Sequence, residues 1–91
     1  MNIDKKIIAD SITHYGAEMQ TTVVMEELAE LIQAISKEKR GQSDKSHLAE
    51  EIADVLISIE ILKQIYSIDD TDIQSWIELK QKRIKNKIKT T

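Results

Sequence analysis

A chain of 91 residues, of which 41% are hydrophobic and 32% charged, is long enough for one small domain and too short for two. It contains no cysteine, which excludes disulfides and thiolate metal sites. Its first ten residues mix charged side chains with isoleucine and contain no long apolar run, so we expect neither a signal peptide nor a membrane span. We therefore expect residues 1–91 to form a single domain of a cytoplasmic protein.

The composition predicts an all-α fold, because there is no proline, no phenylalanine and only two glycines. Both glycines fall where amphipathic segments end. In chain order, we predict a first helix that ends at Gly16, a second over residues 17–40, a third that begins within residues 43–46 and runs to about residue 66, and a fourth from residues 69–70 into the eighties. Short turns join these helices, so we expect a four-helix bundle.

The acidic residues of the second and third helices lie beside the predicted core and not opposite it. One apolar stripe on each of these helices should form that core: Val24, Leu28, Leu31 and Ile35, then Leu48, Val55, Ile59, Leu62 and Tyr66. Glu27 and Glu30 run along the second helix about 100° from its stripe, and Glu51 and Asp54 run similarly along the third. An acidic face that only interacts with water should lie opposite the core. We therefore expect these four acids at the edge of the buried seam.

The two acidic pairs should meet across an antiparallel hairpin. Counted from a turn near Gln42, Glu30 and Asp54 are each 12 residues away, so all four acids fall within about 9 Å along the helix axes. Such a cluster is unfavourable when empty, because two carboxylates 4 Å apart repel by roughly 4 kcal/mol at an effective dielectric constant of 20. Oxygen ligands alone favour a hard cation, Mg²⁺ or alternatively Mn²⁺. The chemistry expected from such a site is metal-assisted attack of water on a phosphoryl group.

The run Glu26-Glu27-Leu28-Ala29-Glu30, followed after 20 residues by Glu51-Ile52-Ala53-Asp54, resembles the E-E-x-x-E…E-x-x-D signature of the MazG-like all-α nucleoside-triphosphate pyrophosphohydrolases. The resemblance implies hydrolysis of a (deoxy)nucleoside triphosphate to the monophosphate and pyrophosphate with Mg²⁺. It also implies a four-helix MazG-like bundle that is completed by assembly into a homodimer or homotetramer, with the active site near the subunit contact. The signature is shared with relatives such as the dimeric dUTPases and phosphoribosyl-ATP pyrophosphohydrolase, so the preferred base and sugar stay open.

The resemblance also implies roles for individual residues. Its metal ligands correspond to Glu27, Glu30, Glu51 and Asp54, and Gln20 matches a polar residue often found upstream of them. Because Gln20 lies two turns before Glu27 on the same stripe, we expect it to donate a hydrogen bond to the substrate or to a ligand carboxylate. We expect a carboxylate next to the metal, Glu26 or Glu27, to deprotonate the attacking water.

The positive charge is concentrated at the end of the chain. Residues 1–75 carry 7 basic and 15 acidic side chains, net −8, whereas residues 76–91 carry 6 basic and 1 acidic, net +5. On the fourth helix, Lys80 and Arg83 are spaced i, i+3 beside an apolar stripe, and family members tend to have a similar K-x-x-R pair there. We expect both side chains to bind the outer oxygens of a triphosphate. Lys37, two turns beyond Glu30, is a further candidate phosphate contact.

Two other functions stay open at this point. The chain is alternatively a non-enzymatic helical assembly or regulatory module whose acids only solvate the bundle. The basic end also raises nucleic-acid binding, which we consider unlikely because the rest of the chain is acidic and no aromatic residue lies among the lysines after Arg83.

Overall fold

The computed structural model describes residues 1–42 and 45–91, and this part of the chain contains four helices and no strands. The helices are α1 (Lys5–Tyr15), α2 (Ala17–Lys39), α3 (Lys45–Ile65) and α4 (Asp70–Thr90). The prediction of an all-α fold is confirmed for these residues. The third helix begins within the predicted range at Lys45, while positions 43 and 44 lie outside the described residues.

Local sequence explains where the helices begin and end. The side chain of Asp4 caps α1 by accepting hydrogen bonds from the backbone N–H groups of Lys6, at 3.0 Å, and Ile7, at 3.2 Å. Gly16 separates α1 from α2 with a φ of 88°, a backbone conformation that glycine adopts without steric cost. Asp69, in an extended conformation, directly precedes α4.

Helices α1, α2 and α3 pack together, and the contact between α2 and α3 is the most extensive. The core cluster consists of Ile8, Val24 and Ile61, one from each helix, with four partly buried hydrophobic side chains around it: Ile3, Ile12, Leu62 and Ile65. This arrangement makes α1 the cover for one end of the α2–α3 hairpin.

Helix α4 packs against none of the other three helices within the described residues. Every one of its residues except Ile73 is exposed, including Trp76, Ile84 and Ile88. The radius of gyration is 16.0 Å, whereas a compact chain of this length has about 12 Å. The chain thus differs from the predicted bundle in that three helices pack and the fourth projects from them. None of the described helices is long and apolar enough to cross a membrane.

The buried faces of α2 and α3 also differ from the prediction. Val24 is buried as expected, but Leu28 is 40% exposed and Ile35 46% exposed. On α3, Ile59 and Tyr66 are likewise exposed.

Four polar or charged side chains of α2 and α3 are also buried, although they lie outside the predicted apolar stripes: Gln20, Glu51, Ser58 and Glu60. Of the four acids predicted at the edge of the core, only Glu51 is buried, while Glu27 and Asp54 are half-buried and Glu30 is exposed. The apolar stripes are partly exposed because, among the described residues, only α1 packs against the α2–α3 hairpin.

Candidate metal site

Four carboxylates meet between α2 and α3. One oxygen from each of Glu27, Glu30, Glu51 and Asp54 lies within 4.8 Å of the others. Each helix contributes a pair spaced i, i+3, which places both members on one side of that helix. We call these four residues the acidic cluster.

Burial leaves part of the acidic cluster without hydrogen-bond partners. Glu51 is only 5% exposed, and the Oε2 atoms of both Glu27 and Glu51 are buried without a partner among the described residues. A buried carboxylate oxygen without a partner is unfavourable. A hard cation would provide the missing interaction, and the all-oxygen donor set suits one. The acidic cluster can therefore hold a metal ion.

The electrostatics of the cluster indicate the same need for a proton or a cation. Burial raises the pKa of Glu27 to about 7 from its ordinary 4.5, and the charges of Glu30 and Asp54 add to this effect. A hydrogen bond with Asp54 and the charge of Glu51 act in the same direction. Burial, followed by the charge of Glu30, also raises the pKa of Glu51. Near neutral pH the cluster is thus poorly able to hold four negative charges by itself.

His47 also lies beside the acidic cluster. Its Nε2 atom is 3.6 Å from Oε1 of Glu51. With Glu50 and Glu51 it forms a second group that could hold a metal, but because Glu51 is common to both groups we treat them as one site. The i, i+4 spacing of His47 and Glu51 is the sequence signal that could have revealed this contact.

Gln20 is buried two turns along α2 from Glu27. Its Oε1 atom accepts a hydrogen bond from the Ser11 hydroxyl at 3.2 Å. The sequence singled out Gln20 but gave no sign of Ser11, because the contact depends on how α1 packs against α2.

The remaining predicted site residues lie outside the acidic cluster. Glu26 is exposed and lines a shallow surface pocket of about 510 Å³ with Tyr15, Met19 and other residues of that face. Three basic residues are also exposed, and their side chains make no ion pair or hydrogen bond with any described residue: Lys37, Lys80 and Arg83.

The fold and the site together are those of an all-helical metal-binding protein, in which an antiparallel helical hairpin carries carboxylates suited to a divalent cation. Residues 16–89 match the sequence model of the MazG nucleotide pyrophosphohydrolase domain. Because the match covers most of the chain, the protein belongs to this family, and the resemblance found in the sequence is confirmed. Membership supports a nucleotide pyrophosphohydrolase activity. No curated protein and no solved structure gives a significant match to the chain.

Proposed function

We propose that the protein hydrolyses a (deoxy)nucleoside triphosphate to the monophosphate and pyrophosphate, with Mg²⁺ held by Glu27, Glu30, Glu51 and Asp54. The observation that carries the proposal is the convergence of these four carboxylates, with two buried oxygens that lack partners, in a member of this family. The cation, when bound, supplies charge neutralisation for phosphate oxygens and lowers the pKa of water.

The burial of the cluster suggests how a substrate reaches it. Glu51 is buried, Asp54 is half-buried and Glu30 is exposed, so the cluster opens to solvent on the side of Glu30. A triphosphate would approach from this side. The attacking water must transfer a proton as it reaches the α-phosphorus. Glu27 is our first candidate for the acceptor because it belongs to the cluster, and Glu26, one position earlier on α2, is the alternative.

The basic residues supply the second half of the proposed binding site. Lys80 and Arg83 make no ion pair with described residues, which leaves their charges available for phosphate oxygens. Lys37 is available in the same way. Gln20 already accepts a hydrogen bond from Ser11, and its amide N–H groups are the part that could reach a ligand or a substrate.

We also propose that the protein acts as a homodimer or homotetramer. Large apolar side chains lie exposed on the hairpin, including Met25 at 71% and Ile32 at 68%. Both lie roughly 140–160° around α2 from Glu27, away from the acidic cluster. An apolar groove of about 370 Å³ between the N-terminal segment and α3 includes Ile3, Ile52 and Leu56. Surfaces of this kind are usually covered by a partner, and a second copy is the one the family resemblance implies. A cytoplasmic location stays a prediction.

Pyrophosphate release from a panel of canonical and damaged (deoxy)nucleoside triphosphates, with Mg²⁺ and with Mn²⁺, tests the proposal. Glu30→Ala and Asp54→Ala should each abolish turnover and leave the helical circular dichroism unchanged. Glu18→Ala removes an exposed acid of α2 outside the cluster and serves as the matched control, which should keep full activity. Undiminished release from either cluster variant would contradict the assigned site. Absence of release by the wild type with every nucleotide would favour the non-enzymatic alternative.

A further inference from the structure

Three metal-ligating side chains meet in the first two turns of α3, at the edge of the acidic cluster. They belong to His47, Glu50 and Glu51, and one ligand atom of each lies within 4.8 Å of the others. Their spacing of i, i+3 and i+4 places all three side chains on one face of the helix. The backbone of α3 therefore brings them together without help from any other element. We call these three residues the histidine group.

The distance between two of these ligand atoms suits a shared metal ion better than a direct hydrogen bond. Nε2 of His47 lies 3.6 Å from Oε1 of Glu51, whereas an N–H···O hydrogen bond spans about 2.7–3.2 Å. Zinc binds nitrogen and carboxylate oxygen at about 2.1 Å, so two ligand atoms at a tetrahedral angle lie about 3.4 Å apart. The separation in α3 is close to the one that such an ion requires.

Glu51 connects the histidine group to the acidic cluster. Its side chain is only 5% exposed, and its two oxygens have different surroundings. Oε1 is the atom near His47, whereas Oε2 is buried without a partner among the described residues. A buried carboxylate oxygen without a partner is unfavourable. One ion in each group would give both oxygens a partner, as in sites where two metal ions lie about 4 Å apart.

The donor atoms of the two groups favour different ions. The acidic cluster offers only oxygen, which suits Mg²⁺, whereas the imidazole nitrogen of the histidine group suits zinc and other first-row transition ions. A neutral imidazole and two carboxylates also balance the charge of one divalent cation. Across both groups, five carboxylates would face two divalent ions, a net charge of −1: Glu27, Glu30, Glu50, Glu51 and Asp54.

We propose that the histidine group is a second metal position, which binds a first-row transition ion such as Zn²⁺ in preference to Mg²⁺, and that Glu51 bridges it to the acidic cluster. His47 is the residue that determines this preference, because it supplies the only nitrogen ligand. The proposal goes beyond the hydrolysis proposed above and does not depend on it.

Isothermal titration calorimetry with Zn²⁺ tests the proposal on the full chain, produced without a histidine tag. Excess Mg²⁺ is present throughout, so that the acidic cluster is filled by the hard ion. We expect the wild type to bind one Zn²⁺ per chain. His47→Gln and Glu50→Gln should each weaken this binding at least tenfold and keep the helical circular dichroism, because loss of even an outer-shell partner typically costs about 10–100-fold in affinity.

His14→Gln is the matched control, because it removes the only other histidine of the chain. It should bind Zn²⁺ as tightly as the wild type does. Equal affinities of His47→Gln and the wild type would overturn the proposal.

Nuclear magnetic resonance identifies the ligand atom directly. The chain has two histidines, so the imidazole nitrogen signals of His47 can be assigned by comparison with His14→Gln. Saturating Zn²⁺ should shift the Nε2 signal of His47 and leave both ring nitrogens of His14 unchanged, and Mg²⁺ alone should produce no shift of that size. The absence of a zinc-induced shift at His47 would overturn its role as a ligand.

Asp54→Ala separates the two metal positions. It removes a ligand of the acidic cluster alone, so it should weaken Mg²⁺ binding and retain the zinc-induced shift of His47. Zinc binding that is lost in Asp54→Ala and kept in His47→Gln would place the zinc ion in the acidic cluster and overturn the proposal. None of these measurements uses pyrophosphate release. A wild type that released no pyrophosphate would contradict the proposed function, while zinc binding would still decide the role of the histidine group.

Discussion

Replacing Glu27 with glutamine should stabilise the metal-free protein at alkaline pH and weaken its response to Mg²⁺. In the folded chain, burial and the charges of Glu30 and Asp54 raise the pKa of Glu27 to about 7, against 4.5 for an ordinary glutamate. Because each pKa unit corresponds to about 1.4 kcal/mol, ionised Glu27 lowers the free energy of unfolding by at most about 3.5 kcal/mol. Solvent reaches part of this side chain, so we expect about 1–2 kcal/mol. The neutral amide removes this cost.

The pH dependence of this effect has a definite sign. The pKa of Glu27 is raised in the folded state, so the stability gained from its bound proton is fully present below pH 4.5 and lost as the pH rises through about 7. The glutamine side chain of the variant has no proton to lose. The difference in the free energy of unfolding between the variant and the wild type should therefore be small at pH 4.5 and largest above pH 7.

Urea unfolding followed by circular dichroism, at pH 5 and pH 8, measures both effects. The wild type should gain about 1.4 kcal/mol at a Mg²⁺ concentration about ten times its dissociation constant, and the glutamine variant should gain clearly less. Glu26→Gln, at the neighbouring position outside the cluster, is the control and should behave as the wild type under every condition. Equal stabilities of Glu27→Gln and wild type at pH 8 without metal would refute the electrostatic reasoning. An equal gain from Mg²⁺ would refute the role of Glu27 as a ligand.

Three further outcomes follow from the same structure. Val24→Ala opens a cavity at the most buried core position and should lower the free energy of unfolding by about 2 kcal/mol in urea titrations; a loss below about 0.5 kcal/mol would contradict the core described above. The double variant Lys80→Ala/Arg83→Ala should raise the KM for the triphosphate, while Lys85→Ala on the same helix leaves it unchanged, and equal kinetics for both would contradict the phosphate contacts. Ile32→Asp should shift the sedimentation coefficient towards the monomer with the helical signal retained, whereas an unchanged assembly would place the subunit contact elsewhere.

The positions of the helices and the convergence of the four acids could be predicted from the sequence, because both depend on local properties of the helix. Gly16 ends one helix, an aspartate opens another, and the fixed rise of the α-helix converts sequence distance from a turn into height along the hairpin. Counting from Gln42 therefore placed Glu30 level with Asp54 without any knowledge of packing. This reasoning needs only the helical period and an antiparallel turn.

The face that each helix buries could not be obtained in the same way. An apolar stripe indicates that burial of that helix face is favourable, but it does not indicate which element buries it. Leu28 and Ile35 are exposed because the described chain has no further helix packed over them. The contact of Ser11 with Gln20 depends on the docking of separate helices and leaves no periodic signal. The ion pair of Lys63 with Asp70 likewise depends on where the end of α3 and the start of α4 meet.

Helix α1 lies outside the residues that match the family, yet it contributes to the fold. The match begins at position 16, one residue after α1 ends, yet α1 supplies Ile8 to the core and Ser11 to the buried amide of Gln20. The family match therefore leaves out a helix that contributes to the core. Helix α1 carries no residue of the family signature, but it packs against both helices of the α2–α3 hairpin.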